Sequence, residues 1–139
     1  MKTKKVYRYY CDYCKKSGCS KRHLQHHEER CTLNPHRICG YCKLLDQEQP
    51  EIDDLLAILP SPEKHSGYGN ALYAAIEDAL PKLREAAGGC PACILAALRQ
   101  KGIPVPMATN FDFKKECQEI WDEINAKSMK QEIDSYHYY

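Results

Sequence analysis

Cys39-Gly40-Tyr41-Cys42 sets two thiols three positions apart, and the same spacing recurs at Cys11-Asp12-Tyr13-Cys14 and at Cys90-Pro91-Ala92-Cys93. Two cysteines so spaced can turn both sulfurs toward one ion, and a tetrahedral site then takes two more ligands from elsewhere in the chain. The pairs at 39/42 and 90/93, separated by 47 residues, supply four thiolates and would close one such site by themselves. Gly40 permits a tight knuckle at the first pair, and Pro91 suits the first turn of a helix carrying Cys93. Cys19 and His36 are the nearby residues that could exchange into these sites.

Working outward, the 139 residues contain nine cysteines, only two Phe and one Trp, so any small module here is short of apolar bulk and needs a staple. The basic start, Met1 to Arg8, is followed by no apolar h-region, and no run approaches the ~20 apolar residues of a membrane span. The reading is therefore of a cytoplasmic chain with no membrane association, in which metal ligation outranks disulfide formation. Cys90 and Cys93 have the spacing of a redox pair, but no βαβ pattern surrounds them. Zinc is the ion that such thiolate-rich closed sites favour.

The N-terminal pair belongs to a longer pattern: Tyr9, Cys11, Cys14, Leu24, His27 and Cys31, with twelve residues between Cys14 and His27 and three between His27 and Cys31. This pattern resembles the two-Cys two-His zinc finger in the variant whose last ligand is Cys. The resemblance covers residues 7–31 and implies a ββα unit in which Cys11, Cys14, His27 and Cys31 hold the metal while Tyr9 and Leu24 form a minimal core. His26 is a rival for the His27 position; the family's spacing favours His27. Where the family has a second aromatic, this chain has Gly18 followed by Cys19, so the hairpin core is thin or Cys19 stands in. The helix is expected from Lys21 onward, capped by Ser20. By the same resemblance Ser20, His23 and His26 would face a DNA major groove, with Lys21 and Arg22 near phosphates. That trio lacks the Arg or Asn of a good base reader, so low sequence specificity is expected. The Cys39/Cys42 and Cys90/Cys93 constellation is loosely similar to a treble-clef site, with helical sequence where that family has a hairpin.

Charge divides the chain. Residues 1–43 carry eleven Lys/Arg against three Asp/Glu, whereas residues 44–139 carry nine against sixteen, giving +8 and −7. A basic block of that density suits a polyanion, and the acidic remainder suits a protein partner or solubility. Mutual neutralisation of the halves is the plainer alternative.

Ile52, Leu55, Leu56 and Leu59 predict a short amphipathic helix from Glu51 to Pro60, followed by a loop over 61–69. Leu72, Tyr73, Ile76, Ala79, Leu80 and Leu83 predict a second helix stopped by Gly88 and Gly89, kinked or restarted at Pro81. Ile94 to Leu98 form a small Ala-rich helix ended by Gly102, and Pro104 and Pro106 are expected to hold an extended linker. Phe113, Cys117, Ile120, Trp121 and Ile124 fall on one face of a last helix. That face either closes the core, with Cys117 as a buried thiol, or anchors a protein partner through Phe113, Ile120, Trp121 and Ile124. The tail, Ser135 to Tyr139, is read as non-helical and mobile.

The expected architecture is mostly α with a small ββα unit over 1–35, a zinc-stapled helical module over 36–110, and an amphipathic helix with its tail over 111–139, holding two structural zinc ions. The run from Cys31 through Asn34, Pro35, Arg37 and Cys39 to Cys42 is weakly similar to uncharacterised zinc proteins of bacteriophages and prophages. That similarity implies a bacterial host cytoplasm and an accessory or regulatory role. No phosphate loop, nucleophile elbow or open three-ligand metal site is present, so binding is expected in place of catalysis. A His-metal nuclease built from His26, His27, Asn34 or His36 is the one catalytic alternative. The leading expectation is a nucleic-acid-associated adaptor, with Lys2, Lys4, Lys5, Arg8, Lys15, Lys16, Lys21 and Arg22 on phosphates and the acidic module on a protein. The competing one is a protein-interaction module, a viral inhibitor or assembly component, whose basic face meets an acidic surface.

Overall fold

The computed structural model describes residues 1–62 and 69–136, with side chains described as far as 129. Two two-residue strands, β1 (Tyr9–Tyr10) and β2 (Ser17–Gly18), pair antiparallel, with Tyr9 opposite Gly18 and Tyr10 opposite Ser17. Helix α1 (Lys21–Arg30) follows at once, and the Ser20 hydroxyl accepts from the His23 amide at 3.4 Å to cap it. Leu24 is the one fully buried residue of α1, because its polar remainder faces water. It packs with Cys11 and Cys31, and Tyr9, Cys14 and Leu33 lean on the same cluster. Gly18 lets the hairpin approach this close: a Cβ there would stand 3.0 Å from Leu24 Cδ2.

Beyond α1 the chain folds back on that helix's C-terminal end, where carbonyls lack helical partners. The Asn34 side chain donates to Glu28 O at 2.7 Å and the Ile38 amide to Glu29 O at 2.8 Å. Helices α2 (Gly40–Leu44), α3 (Ile52–Ile58), α4 (Asn70–Ala86), α5 (Pro91–Gln100) and α6 (Phe113–Tyr136) complete the molecule. Helix α5 is apolar all round and lies at the centre, buried from Pro91 through Leu98 and flanked by α3 and α6. Leu55 and Leu59 cover it from one side, and the stripe Leu72, Ile76, Leu80 and Leu83 of α4 completes the core. Cys39, Cys42, Cys90 and Cys93 belong to that same core.

Several details differ from the sequence reading. Pro81 sits inside one continuous α4, so no second helix starts there; it lies on the solvent side, where a missing amide is tolerated more easily. The Pro104–Pro106 segment is not extended throughout, since Val105–Met107 make a 3₁₀ turn that buries Met107. Tyr73 faces solvent instead of the core. Cys117 is half-buried, not enclosed. Helix α6 runs to Tyr136, so Ser135 and Tyr136 are helical, and 137–139 lie outside the described residues. Most of the loop expected over 61–69, at 63–68, lies outside them too.

Helix α6 is fastened near its start. Arg84 of α4 pairs with Glu116, donates to Asn110 O at 2.6 Å and lies over the Phe111 ring at 5.9 Å. Among the described residues no helix is long and apolar enough to cross a membrane.

Candidate metal centres

Two groups of four potential ligands converge, and within each group the ligating atoms lie within 4.8 Å of one another. The first consists of Cys11, Cys14, His27 and Cys31. The loop between β1 and β2 closes through Cys11 N to Lys16 O at 2.9 Å, which turns both its sulfurs inward. Amides of Tyr13 and Lys16 donate to the Cys11 and Cys14 sulfurs at 3.4 Å each. Helix α1 brings His27, whose Nε2 is 3.2 Å from Cys14 Sγ, and its cap brings Cys31. His26, one position earlier, is exposed, as is Cys19. Leu33, beyond the helix, supplies the apolar contact that neither Gly18 nor Cys19 gives; nothing in the spacing marked it.

The second group is Cys39, Cys42, Cys90 and Cys93, all buried. Both pairs use one local device: the first cysteine is the N-cap of a helix, α2 or α5, and the second lies three residues on in its first turn. The amide of Cys42 donates to Cys39 Sγ at 3.4 Å, and the N-terminal end of α5 favours negative charge on Cys90 and Cys93. Cys39 and Cys90 sulfurs are 3.5 Å apart, as are those of Cys42 and Cys93, far beyond a disulfide bond of about 2.05 Å. A tetrahedral zinc with bonds of about 2.3 Å would set sulfurs about 3.8 Å apart, close to these separations.

The charge balance calls for a cation at both groups. Hydrogen bonds from Cys90 and Cys93 hold the Cys39 thiol well below its ordinary range. Hydrogen bonding with Cys39 and Cys93, together with burial, pushes Cys90 far above it. In the first group, burial pushes Cys31 up to about 11. The three thiols of the first group and the four of the second cannot all ionise together unless a cation joins them, and one zinc ion per group meets that demand with a closed, four-ligand site. The residues present fit two zinc ions, one per group.

Three side chains around the second group escaped the sequence reading. Arg37, 8% exposed, donates from Nη1 to Cys93 Sγ at 3.8 Å. Burial works against its charge, and the Cys39 and Cys93 sulfurs outweigh burial, so the guanidinium is held above its ordinary value. Gln47 donates from Nε2 to Cys42 Sγ at 3.5 Å and to Ala87 O at 3.0 Å, tying the first pair to the turn before the second. Gly88 has φ +62° there, and a Cβ on it would stand 2.6 Å from Gln47 Oε1. Gln49 accepts from Cys39 N at 2.7 Å and donates to Arg37 O at 2.8 Å. No spacing rule announces such partners, because they are defined by where the fold sets them around the ligands.

Lys2, Lys4, Lys5, Arg8, Lys15, Lys16, Lys21, Arg22, His23 and His26 are all exposed, and Ser20 is engaged as a cap. Phe113, Ile120 and Ile124 are half-buried, leaving Trp121 as the exposed member of that set. Asn34 is buried and occupied by Glu28 O and the His36 amide, while His36 is exposed. Comparison with protein-family models, curated proteins and solved structures finds no match for this chain.

Proposed function

We propose that this protein is a non-catalytic adaptor, held together by two zinc ions, that binds nucleic acid through its N-terminal segment and a protein through its helical part. The carrying observation is the state of the basic residues. Lys2, Lys4, Lys5, Arg8, Lys15, Lys16, Lys21 and Arg22 are exposed, and among the described residues none is in an ion pair. That speaks against neutralisation by the acidic remainder and leaves the charge available to a polyanion. Tyr7, Tyr10 and Tyr13 are exposed between these cations, and aromatic faces of this kind stack on unpaired bases. The favoured ligand is therefore a single strand, read with little sequence preference.

A non-catalytic role is supported by ligand count, because four protein ligands at each group leave no open position for water or substrate. The finger-like order of β1, β2 and α1, with Cys-Cys-His-Cys ligands, supports a zinc-finger type for the N-terminal unit. The similarity of the Cys31–Cys42 run to bacteriophage zinc proteins is the ground for placing a regulatory role in a bacterial cytoplasm.

The test is a salt-series titration of the zinc-loaded protein against single-stranded DNA, RNA and duplex DNA, beside a chelated control. Zinc-dependent binding with a log–log salt slope steeper than about −2 would support the reading. Absence of binding at low salt would transfer the basic face to an acidic protein surface. Tyr10→Ala should weaken single-strand binding by roughly 1–3 kcal/mol and leave duplex binding nearly unchanged.

A further inference from the structure

We infer that the groove between α2, α5 and α6 is the docking site for an acidic, amphipathic peptide segment of a partner protein. This deepens the adaptor reading, resting on its protein-binding half and not on its nucleic-acid half. The groove encloses about 600 Å³, inside the usual range of ligand sites. Its apolar wall is built by Tyr41 and Leu44 from α2, Leu95 from α5, and Phe113 and Trp121 from α6. Leu44 remains 45% exposed and Trp121 42%, so large apolar side chains meet water around one concavity.

Charge selects the occupant. Arg30 and Lys43 line the groove exposed to solvent, Arg37 lies buried behind them and is committed to Cys93 Sγ, and no Asp or Glu lines it. Neither Arg30 nor Lys43 has an ion-pair partner among the described residues. The Arg30 guanidinium reaches over the first turn of α2, its Nη1 3.9 Å from the place a Cβ on Gly40 would take. The groove is thus locally cationic: its charges come from the basic segment 1–43, and the residues that the acidic segment 44–139 contributes to it, Leu44, Ala92, Leu95, Phe113 and Trp121, are uncharged. A two-fold contact with a second copy would set Arg30 and Lys43 against themselves, which like-charge repulsion opposes. A helix presenting apolar anchors at i, i+3/i+4 and i+7 with carboxylates beside them matches both wall and rim.

Its walls stand on the second metal group, since Cys39 is the N-cap of α2 and Cys90 that of α5. Binding should therefore require zinc.

Trp121 is the only tryptophan of the chain and reports directly on the groove. The full-length zinc-loaded protein is titrated with a synthetic peptide of about twelve residues bearing Leu and Phe anchors and Glu elsewhere, and with its Lys counterpart. The expected result is a saturable blue shift of Trp emission with the Glu peptide, at least about tenfold tighter than with the Lys peptide. The double variant R30E/K43E should reverse that preference, and Leu44→Glu should abolish the Glu-peptide response at unchanged zinc content and helicity. No saturable response, or equal responses to both peptides, would overturn the proposal. So would a Trp shift that follows protein concentration without peptide, or displacement of the peptide by a single-stranded oligonucleotide. The variant K15E/K16E/K21E/R22E separates the two halves: it should lose nucleic acid and keep the peptide. A wild-type protein that binds no nucleic acid but still binds the Glu peptide would sink the former reading alone.

Discussion

His27 and His26 are adjacent in sequence, yet one turns its Nε2 to 3.2 Å from Cys14 Sγ while the other faces water. Replacing His27 by Ala should remove one of two bound metal equivalents, whereas His26→Ala should retain both; a cobalt titration, read by thiolate-to-metal absorption, checks this. At the second group, Arg37 donates to Cys93 Sγ and would offset the negative charge of four thiolates around a bound zinc. Arg37→Met should lower zinc affinity there by about 10–100-fold, measured by competition with a chromophoric chelator. Protonation opposes ligation at both groups, because zinc takes thiolates and neutral imidazole. Affinity should fall as pH falls, and the acid midpoint for loss of helicity should move to lower pH as free zinc is raised.

Among the elements, α4 carries the clearest unfavourable feature. Pro81 denies the Glu77 carbonyl its helical partner in the middle of a 17-residue helix. An interior Pro costs about 3 kcal/mol relative to Ala, and the stiffening of the unfolded chain that Pro gives back is up to about 1. Pro81→Ala should therefore stabilise the zinc-loaded protein by about 2 kcal/mol, read from the urea midpoint. Helix α6 packs on α5 and is clasped at its beginning, where Arg84 holds Glu116, Asn110 and the Phe111 ring. Arg84→Ala should expose Trp121 further, shifting its emission to the red, since the apolar face of α6 is otherwise only half-buried.

The described residues form two apolar clusters of unequal size, each containing cysteines of one candidate metal group. The larger one includes Cys39, Cys42, Cys90 and Cys93, so withdrawing its ion leaves four crowded thiols at the centre of the helical core. Cys90→Ser should melt most of the helix signal in far-ultraviolet circular dichroism, while His27→Ala should preserve most of it. The smaller cluster is joined to the larger through Thr32 and Asn34, whose groups accept from Arg99 and Gln100 at 2.9 to 3.2 Å. Chelation of both ions should unfold the chain, and zinc should restore it in proportion to metal bound.

The sequence by itself determined the ligands' identities and most of the helices, because both are local matters. A Cys-x2-Cys pair is a short-range geometric device, and the stripe from Leu72 to Leu83 is a helical period that any apolar partner would bury. Even the capping of α1 by Ser20 and the stop at Gly88 were legible from neighbouring residues. Tertiary structure decided what depends on residues far apart. Only folding brings Arg37 to Cys93, Gln47 to Ala87 and Leu33 to the cluster of Cys11, Leu24 and Cys31, and only packing shows that Trp121 stays open beside Leu44 under a cationic rim. Pro81 starts no second helix because local propensity is a weak prior, and burial of Leu72, Ile76, Ala79, Leu80 and Leu83 along one continuous α4 outweighs it. Charge behaved likewise: Arg30 and Lys43 belong to a basic block spread over residues 1–43, and only the fold sets them beside the apolar wall made by α2, α5 and α6, since recognition follows the local field of a surface.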